Sequence, residues 1–274
     1  VDTIIHLGDY WDEEGIRRNK NAVLAGNRKI HRYFSQCYNY LAAAGCLYKN
    51  MEQIYDDAAE KAEIYKMAAH IVNRELSSYD ISLTTGEIKK AFASAITPAG
   101  IINQIHSLVS GCKRIYLISG PVGFSGGKIL STVMESAVYR GFYTEAYYCP
   151  LRPVGDPEHL IIPELSLALL STCHYHDIEA WEIAESAAVE EEYPEIILID
   201  MDEMRDESET DRQRGFLDKN LDAFDSMLTS AVECLKKAKA EHDLLERCYI
   251  PNMDFKKIDL LRDEIVGKIK EQGL

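Results

Sequence analysis

Two stretches of the chain space their apolar residues in alternating steps of four and three. In the first, Ile30, Phe34, Cys37, Leu41, Ala44, Tyr48, Met51 and Tyr55 form the seam. That spacing keeps one stripe of an α-helix turned toward a partner helix. Asp12-Glu13-Glu14 supply its acidic first turn. The pattern pauses near Tyr55-Asp56-Asp57, after which Ile64, Met67 and Ile71 mark a second helical face that closes at Ser77-Ser78. The second stretch runs through Leu221, Phe224, Leu228, Ala231, Leu235, Ala238, His242, Leu245 and Tyr249. After Ile250-Pro251 it is followed by Ile258, Leu261 and Ile265. Each long helix is followed at once by a shorter one. The seams therefore predict antiparallel helical hairpins in preference to an intermolecular coiled coil.

The two stretches are copies of one pattern. A shift of 194 positions carries Leu228, Leu235, Leu245 and Tyr249 onto Phe34, Leu41, Met51 and Tyr55, and Ile258, Leu261 and Ile265 onto Ile64, Met67 and Ile71. This is an internal repeat of pattern rather than identity. Upstream, IIHLGDYWDEE and IILIDMDEMRDE also align if one residue is skipped.

Between the hairpins the period changes. Ile115–Ile118 is a short apolar run ending at Ser119-Gly120, the mark of a strand buried on both faces. A glycine-rich turn, Pro121 to Gly127, leads into a helix opened by Lys128 and carrying Ile129, Val133, Met134, Ala137 and Val138 at helical spacing. Gly86–Cys112 reads as a lead-in with one helix from Ala99 to Val109. Thr144–Cys149, His159–Leu165, Leu167–Thr172 and Ile196–Ile199 supply further strands. Such alternation predicts an α/β fold with a parallel sheet and helices on both faces. The expected organisation is a helical hairpin over 1–78, an α/β domain over 86–212, and a second hairpin over 213–274 that rests against it.

A glycine loop followed by a helix N-terminus and a lysine is a phosphate cradle. The candidate phosphate-binding residues are therefore Gly123, Phe124, Ser125, Gly126, Gly127, Lys128 and Ile129. The spacing departs from G-x4-G-K-[ST]: three residues separate Gly123 from the Gly127-Lys128 pair and six separate Gly120 from it. Ile129 has no hydroxyl to hold Mg²⁺, and Ser131 and Thr132 are expected to face elsewhere. The plain alternative is a strand–turn–helix connection with a solvated lysine.

Composition narrows the partners. With 46% hydrophobic and 27% charged residues, the 274-residue chain is an ordinary globular sequence. No apolar run approaches the roughly 18 residues that cross a bilayer, so no membrane partner is expected. A net charge of −15 disfavours nucleic acid. Seven cysteines without a CxxC pair read as free thiols in the cytoplasm. The chain starts on Val1 in what reads as the inside of a domain, so it is expected to be a fragment or a processed product.

AITPAGIINQI (95–105), RIYLISGPVGFSGGK, YYCPLRP (147–153), LIIPELSLALL (160–170), HLGDYWDEE (6–14) and NMDFKKIDLLRDEI (252–265) together resemble an uncharacterised bacterial family of ATPase-like proteins. That family is built from two tandem P-loop units, each an α/β domain with a helical-hairpin tail. The resemblance implies that 1–78 is the tail of a first unit and the remainder is the second. It implies ATP and Mg²⁺ as ligands, with Gly126, Gly127 and Lys128 in the phosphate loop. Family members carry a Ser or Thr where Ile129 stands and an aspartate where Ser171 stands. Loss of both implies weakened metal binding and a degenerate catalytic copy.

Asp200, at the end of Ile196–Ile199, is a candidate substitute metal acid, weighed against a connector strand with solvated acids. Cys173, His174, His176 and His159 match no zinc spacing. Cys149 lacks a nucleophile's partners, and Arg152 reads as a surface arginine. The stretch 177–212 holds fifteen acids against two arginines and reads as a solvated loop. Two functions follow: a nucleotide-binding ATPase-like protein with weak or lost hydrolysis, or a non-enzymatic scaffold. The scaffold would use its hairpins for self-association or a protein partner.

Overall fold

The computed structural model describes residues 4–175, 178–190 and 192–271. It is an α/β structure with two compact units, one drawn from Val1–Cys37 and Glu233–Leu274, the other from Tyr38–Val232. The helices are α1 (Glu13–Arg18), α2 (Lys20–Ala58), α3 (Lys61–Leu76), α4 (Ile105–Leu108), α5 (Gly127–Tyr139), α6 (Ala180–Ala187), α7 (Glu207–Tyr249) and α8 (Phe255–Glu271). The strands are β1 (Ile88–Ala91), β2 (Ser94–Thr97), β3 (Gly100–Asn103), β4 (Arg114–Ser119), β5 (Thr144–Tyr147), β6 (His159–Ile162), β7 (Leu167–Thr172) and β8 (Glu195–Asp200). No described helix is long and apolar enough to cross a membrane.

In the larger unit a six-stranded sheet runs β1-β5-β6-β7-β4-β8. It is mixed, not parallel: β6 is antiparallel to both β5 and β7, while β4 is parallel to β7 and β8. The cause is the connection Pro163–Ser166, too short for the crossover of about a dozen residues that parallel pairing needs. Helices cover both faces. Ile64, Ile71 and Leu76 of α3 join Ile129, Leu130 and Val133 of α5 against Tyr116 and Ile118. On the other face Ile105 of α4 and Ile183 and Ala187 of α6 meet Ile115 and Leu117. β4, buried over Ile115–Ile118, is therefore a central strand, as its apolar run predicts.

Two expectations are corrected here. Ala99–Val109 is not one helix: β2 and β3 form a hairpin across Pro98-Ala99, with Gly100 at φ 108° and only the short α4 after it. The acidic segment is not all loop: it holds α6, β8 and the start of α7, with none of its described acids buried and Ile183, Ala187 and Ile199 inward.

The expected hairpins are corrected too: the seams meet each other, α2 running antiparallel to α7, rather than each closing on the shorter helix that follows it, and α3 packs on α5. In the larger unit Tyr48 meets Phe224, and Asn50 donates to Asn220 at 3.0 Å. In the smaller, Lys29 pairs with Glu241 at 2.9 Å. Cys234 takes the inward place expected for Leu235, and His242 is exposed.

The repeat extends to individual hydrogen bonds. In the smaller unit Trp11 bridges Met253, Asp12 N–H donates to Asn252 O at 2.8 Å, and Asp254 N–H donates to Tyr10 O at 2.9 Å. In the larger, Arg205 bridges Ala59, Asp206 N–H donates to Ala58 O at 2.8 Å, and Glu60 N–H donates to Met204 O at 2.9 Å. Every partner is related by the same shift, with donor and acceptor copies exchanged. The 3₁₀ turns Leu7–Tyr10 and Met201–Met204 obey it too, so no residue is skipped.

Candidate functional site

β4 delivers the glycine loop to the edge of the sheet where β7 and β8 also end. Pro121–Phe124 turns on a Phe124 N–H to Pro121 O bond of 2.9 Å, and the buried Phe124 ring stacks on Tyr55 of α2 at 5.7 Å. Gly126 then adopts φ 69°, a conformation open to glycine, and starts α5. Its carbonyl accepts from Ile129 and Leu130, leaving the earliest helical amides without intrahelical partners.

A cavity of about 190 Å³ lies against this backbone. Gly123–Lys128 form one wall; Glu52 and Asp56 of α2, Arg152, Asp156 and Met201 form the others. The candidate residues Gly123, Phe124, Ser125, Gly126, Gly127 and Lys128 thus come together on it. Ile129 does not, because its side chain is fully buried in the core between sheet and helices. The Lys128 side chain is 63% exposed, and its ammonium lies 3.9 Å from Asp156 Oδ2.

Several side chains sit where the sequence did not place them. Ser131 faces the site and donates to Asp156 Oδ1 at 2.6 Å, while Thr132 bonds back to the Lys128 carbonyl. Arg152 is no surface arginine. It donates to Glu52 at 2.6 Å, lies over the Tyr48 ring at 5.6 Å, and keeps a buried Nε without a hydrogen-bond partner. Ser171 ends β7 buried, with its hydroxyl donating to Ser125 O at 2.5 Å. It fastens the loop from below. Asp200 ends β8 opposite Ser119, and its Oδ1 accepts from Asp202 N–H at 2.9 Å, capping the turn that follows. The neighbour Met201, not Asp200, lines the cavity.

Sequence reasoning missed Glu52, Asp56 and Asp156. Only Asp156 left a signal, the Gly155-Asp156-Pro157 turn between β5 and β6. Beneath the loop Glu158 is buried, and that burial pushes its carboxyl up to about 7 against the lowering influence of Arg152. Burial likewise pushes the Cys149 thiol up to about 12, which removes its thiolate.

The other candidates do not assemble. His159 Nδ1 accepts from Ser171 N–H at 3.2 Å, and His174 lines a separate cavity of about 280 Å³ with Tyr55, Arg205 and Arg214. His176 lies outside the described residues. Among the described residues the sole three-ligand group is His242, Asp243 and Glu246, all exposed on α7.

Chemically the cavity offers backbone N–H groups, two cations and three carboxylates. It has room for a phosphate chain, below the roughly 300–1,000 Å³ of pockets that engulf a drug-sized ligand. No family model, curated protein or solved structure matches the chain.

Proposed function

We propose that the chain binds the phosphates of a nucleotide, ATP or ADP, at the glycine loop, and that hydrolysis there is weak or lost. The observation that carries this is the cavity walled by the consecutive backbone of Gly123–Lys128 at the head of a 13-residue helix. Unpaired amides and the helix dipole favour an anion at that point. Lys128, within reach of the same wall, adds a mobile positive charge. Weak hydrolysis follows from Ile129 and Ser171: one is apolar and buried, the other already bonds the loop. Neither supplies the usual support for charge developing in phosphoryl transfer.

Calorimetric titration with ATP and ADP, with and without Mg²⁺, tests this. Micromolar binding is expected, weakened about tenfold or more in Lys128→Ala, a loss of about 1.4 kcal/mol or more. Heat that stays at the dilution value up to millimolar nucleotide would overturn it.

A second reading is favoured by one specific observation. Lys128 is paired with Asp156 and largely exposed, as in a loop retained by ancestry alone. The chain would then be a scaffold whose hairpins bind. α8 leaves Val266 and Ile269 exposed, whereas their copies Val72 and Glu75 on α3 are covered by the α/β layer. In keeping with the tandem-unit resemblance, the partner fitting that face is a second α/β layer of the same kind.

A further inference from the structure

The two positions that the resemblance assigns to a divalent metal offer it no oxygen: Ile129 is in the core and Ser171 is committed to Ser125 O. A hydroxyl and a carboxylate nevertheless meet at the same helix end. Ser131 Oγ donates to Asp156 Oδ1 at 2.6 Å, and Asp156 Oδ2 lies 3.9 Å from Lys128 Nζ. Asp156 also leans on the loop itself, where a Cβ added to Gly127 would lie 2.7 Å from the Asp156 Cβ. Its carboxylate thus lines the same cavity as Lys128, beside the lysine ammonium.

Charge decides what can displace it. Lys128 and Arg152 face Glu52, Asp56 and Asp156 across the cavity, and Glu52 already holds Arg152. A bare polyphosphate would have to strip Lys128 from Asp156 and then lie beside that carboxylate, like charge against like. A polyphosphate carrying Mg²⁺ brings the missing positive charge. Such an ion is commonly held by one or two carboxylates together with the phosphates themselves. The donor set fits a metal–phosphate complex, through residues other than those the resemblance assigns.

We infer that Asp156, positioned by Ser131, makes this loop selective for a divalent-metal complex of a polyphosphate over the bare polyphosphate. This rests on the phosphate-binding reading above and names the ligand class of that same site.

The test uses the full chain, with pyrophosphate and ATP titrated in EDTA and in Mg²⁺. The wild-type protein is expected to prefer the Mg²⁺ form by about tenfold or more. In Asp156→Asn the bare ligand binds as well as or better than in wild type, and the preference for Mg²⁺ collapses toward unity. Ser131→Ala, which keeps the carboxylate, retains part of the preference. A second readout needs no activity: the Mn²⁺–ATP electron paramagnetic resonance spectrum broadens with wild type and not with Asp156→Asn. An Asp156→Asn protein that keeps the wild-type Mg²⁺ preference overturns the inference and leaves phosphate binding standing. Equal tightening of both ligand forms also overturns it, since Asp156 would then be a simple block. Failure of wild type and of Asp156→Asn to bind either form removes the phosphate site itself.

Discussion

α3 and α8 are one helix written twice, and they end up in opposite environments. In α3, Ile64, Ala68, Ile71 and Leu76 are buried. The matching positions in α8 are Ile258, Arg262, Ile265 and Lys270, and no residue of that helix is buried. Glu75 makes the contrast sharper. Its side chain is 6% exposed and takes hydrogen bonds from Arg114 at 2.6 Å and Tyr116 at 2.5 Å, both on β4. The copy of Glu75 is Ile269, which is 45% exposed. The junctions below the two helices are nonetheless the same to the hydrogen bond. Each junction joins one copy of the pattern to the other, so the repeat specifies both junctions alike. The identity of the inward residues is a record of what covers them.

The largest expected effect separates the two copies directly. Ile71→Ala empties a fully buried site between α5 and the sheet and should cost about 2–5 kcal/mol of unfolding free energy. Ile265→Ala, at the matching partly exposed place, should cost under about 1 kcal/mol, since little area is lost from the protein interior. Urea denaturation reads both. The chain has two tryptophans, Trp11 in the smaller unit and Trp181 in the larger, so single-tryptophan variants follow each unit separately. Equal losses for the two alanines would break the contrast.

Much of this frame was legible because its signals are local. The heptad steps mark α2 and α7 as long helices, and the break near Asp56-Asp57 falls where α2 gives way to α3; that the two seams meet each other depends on contacts 170 to 212 residues apart. β4, the glycine loop and α5 were readable as strand, turn and helix from adjacent residues. The lead-in was misread because Ile101, Ile102 and Ile105 also fit a helical face, while Pro98-Ala99-Gly100 was the stronger turn signal. The acidic stretch hid α6 behind charge that faces solvent, while β8 was legible in Ile196–Ile199. The mixed sheet was in principle deducible from the length of the Pro163–Ser166 turn. The walls of the cavity were not deducible. Ser131 and Asp156 are 25 residues apart and Arg152 and Glu52 are 100 apart, and only the fold brings them into contact.

A smaller effect should be confined to the larger unit. Burial raises the Glu158 carboxyl to about 7 in the folded chain, above its unfolded value. The folded state thus holds more protons than the unfolded state between those values, so stability falls as pH rises through that window. The loss from about pH 4.5 to above pH 7 should be on the order of 3 kcal/mol. Glu158→Gln should remove that slope and leave the protein more stable at pH 8. The change belongs in the Trp181 signal of the larger unit, with the Trp11 signal unmoved. A slope that survives the substitution would assign the pH dependence to another group.

The smallest effect tests the part of the comparison that should not differ. Asp12 caps α1 by accepting from Gly15 N–H at 3.1 Å, and Asp206, its copy, accepts from the Ser208 amide at 2.9 Å and the Ser208 hydroxyl at 2.7 Å. Losing either cap by Asp→Ala exposes first-turn amides in the same way. The Ser208 hydroxyl, ahead of the backbone amides, holds the Asp206 carboxyl below its usual range. Its stabilising effect is therefore present above the unfolded carboxylate value and fades as pH falls through the lower folded one. Asp12→Ala and Asp206→Ala should each shift their own unit's tryptophan-monitored transition by the same small amount at neutral pH. A much larger shift for Asp206 would mean that the covering α/β layer reinforces its junction as well as the helix above it.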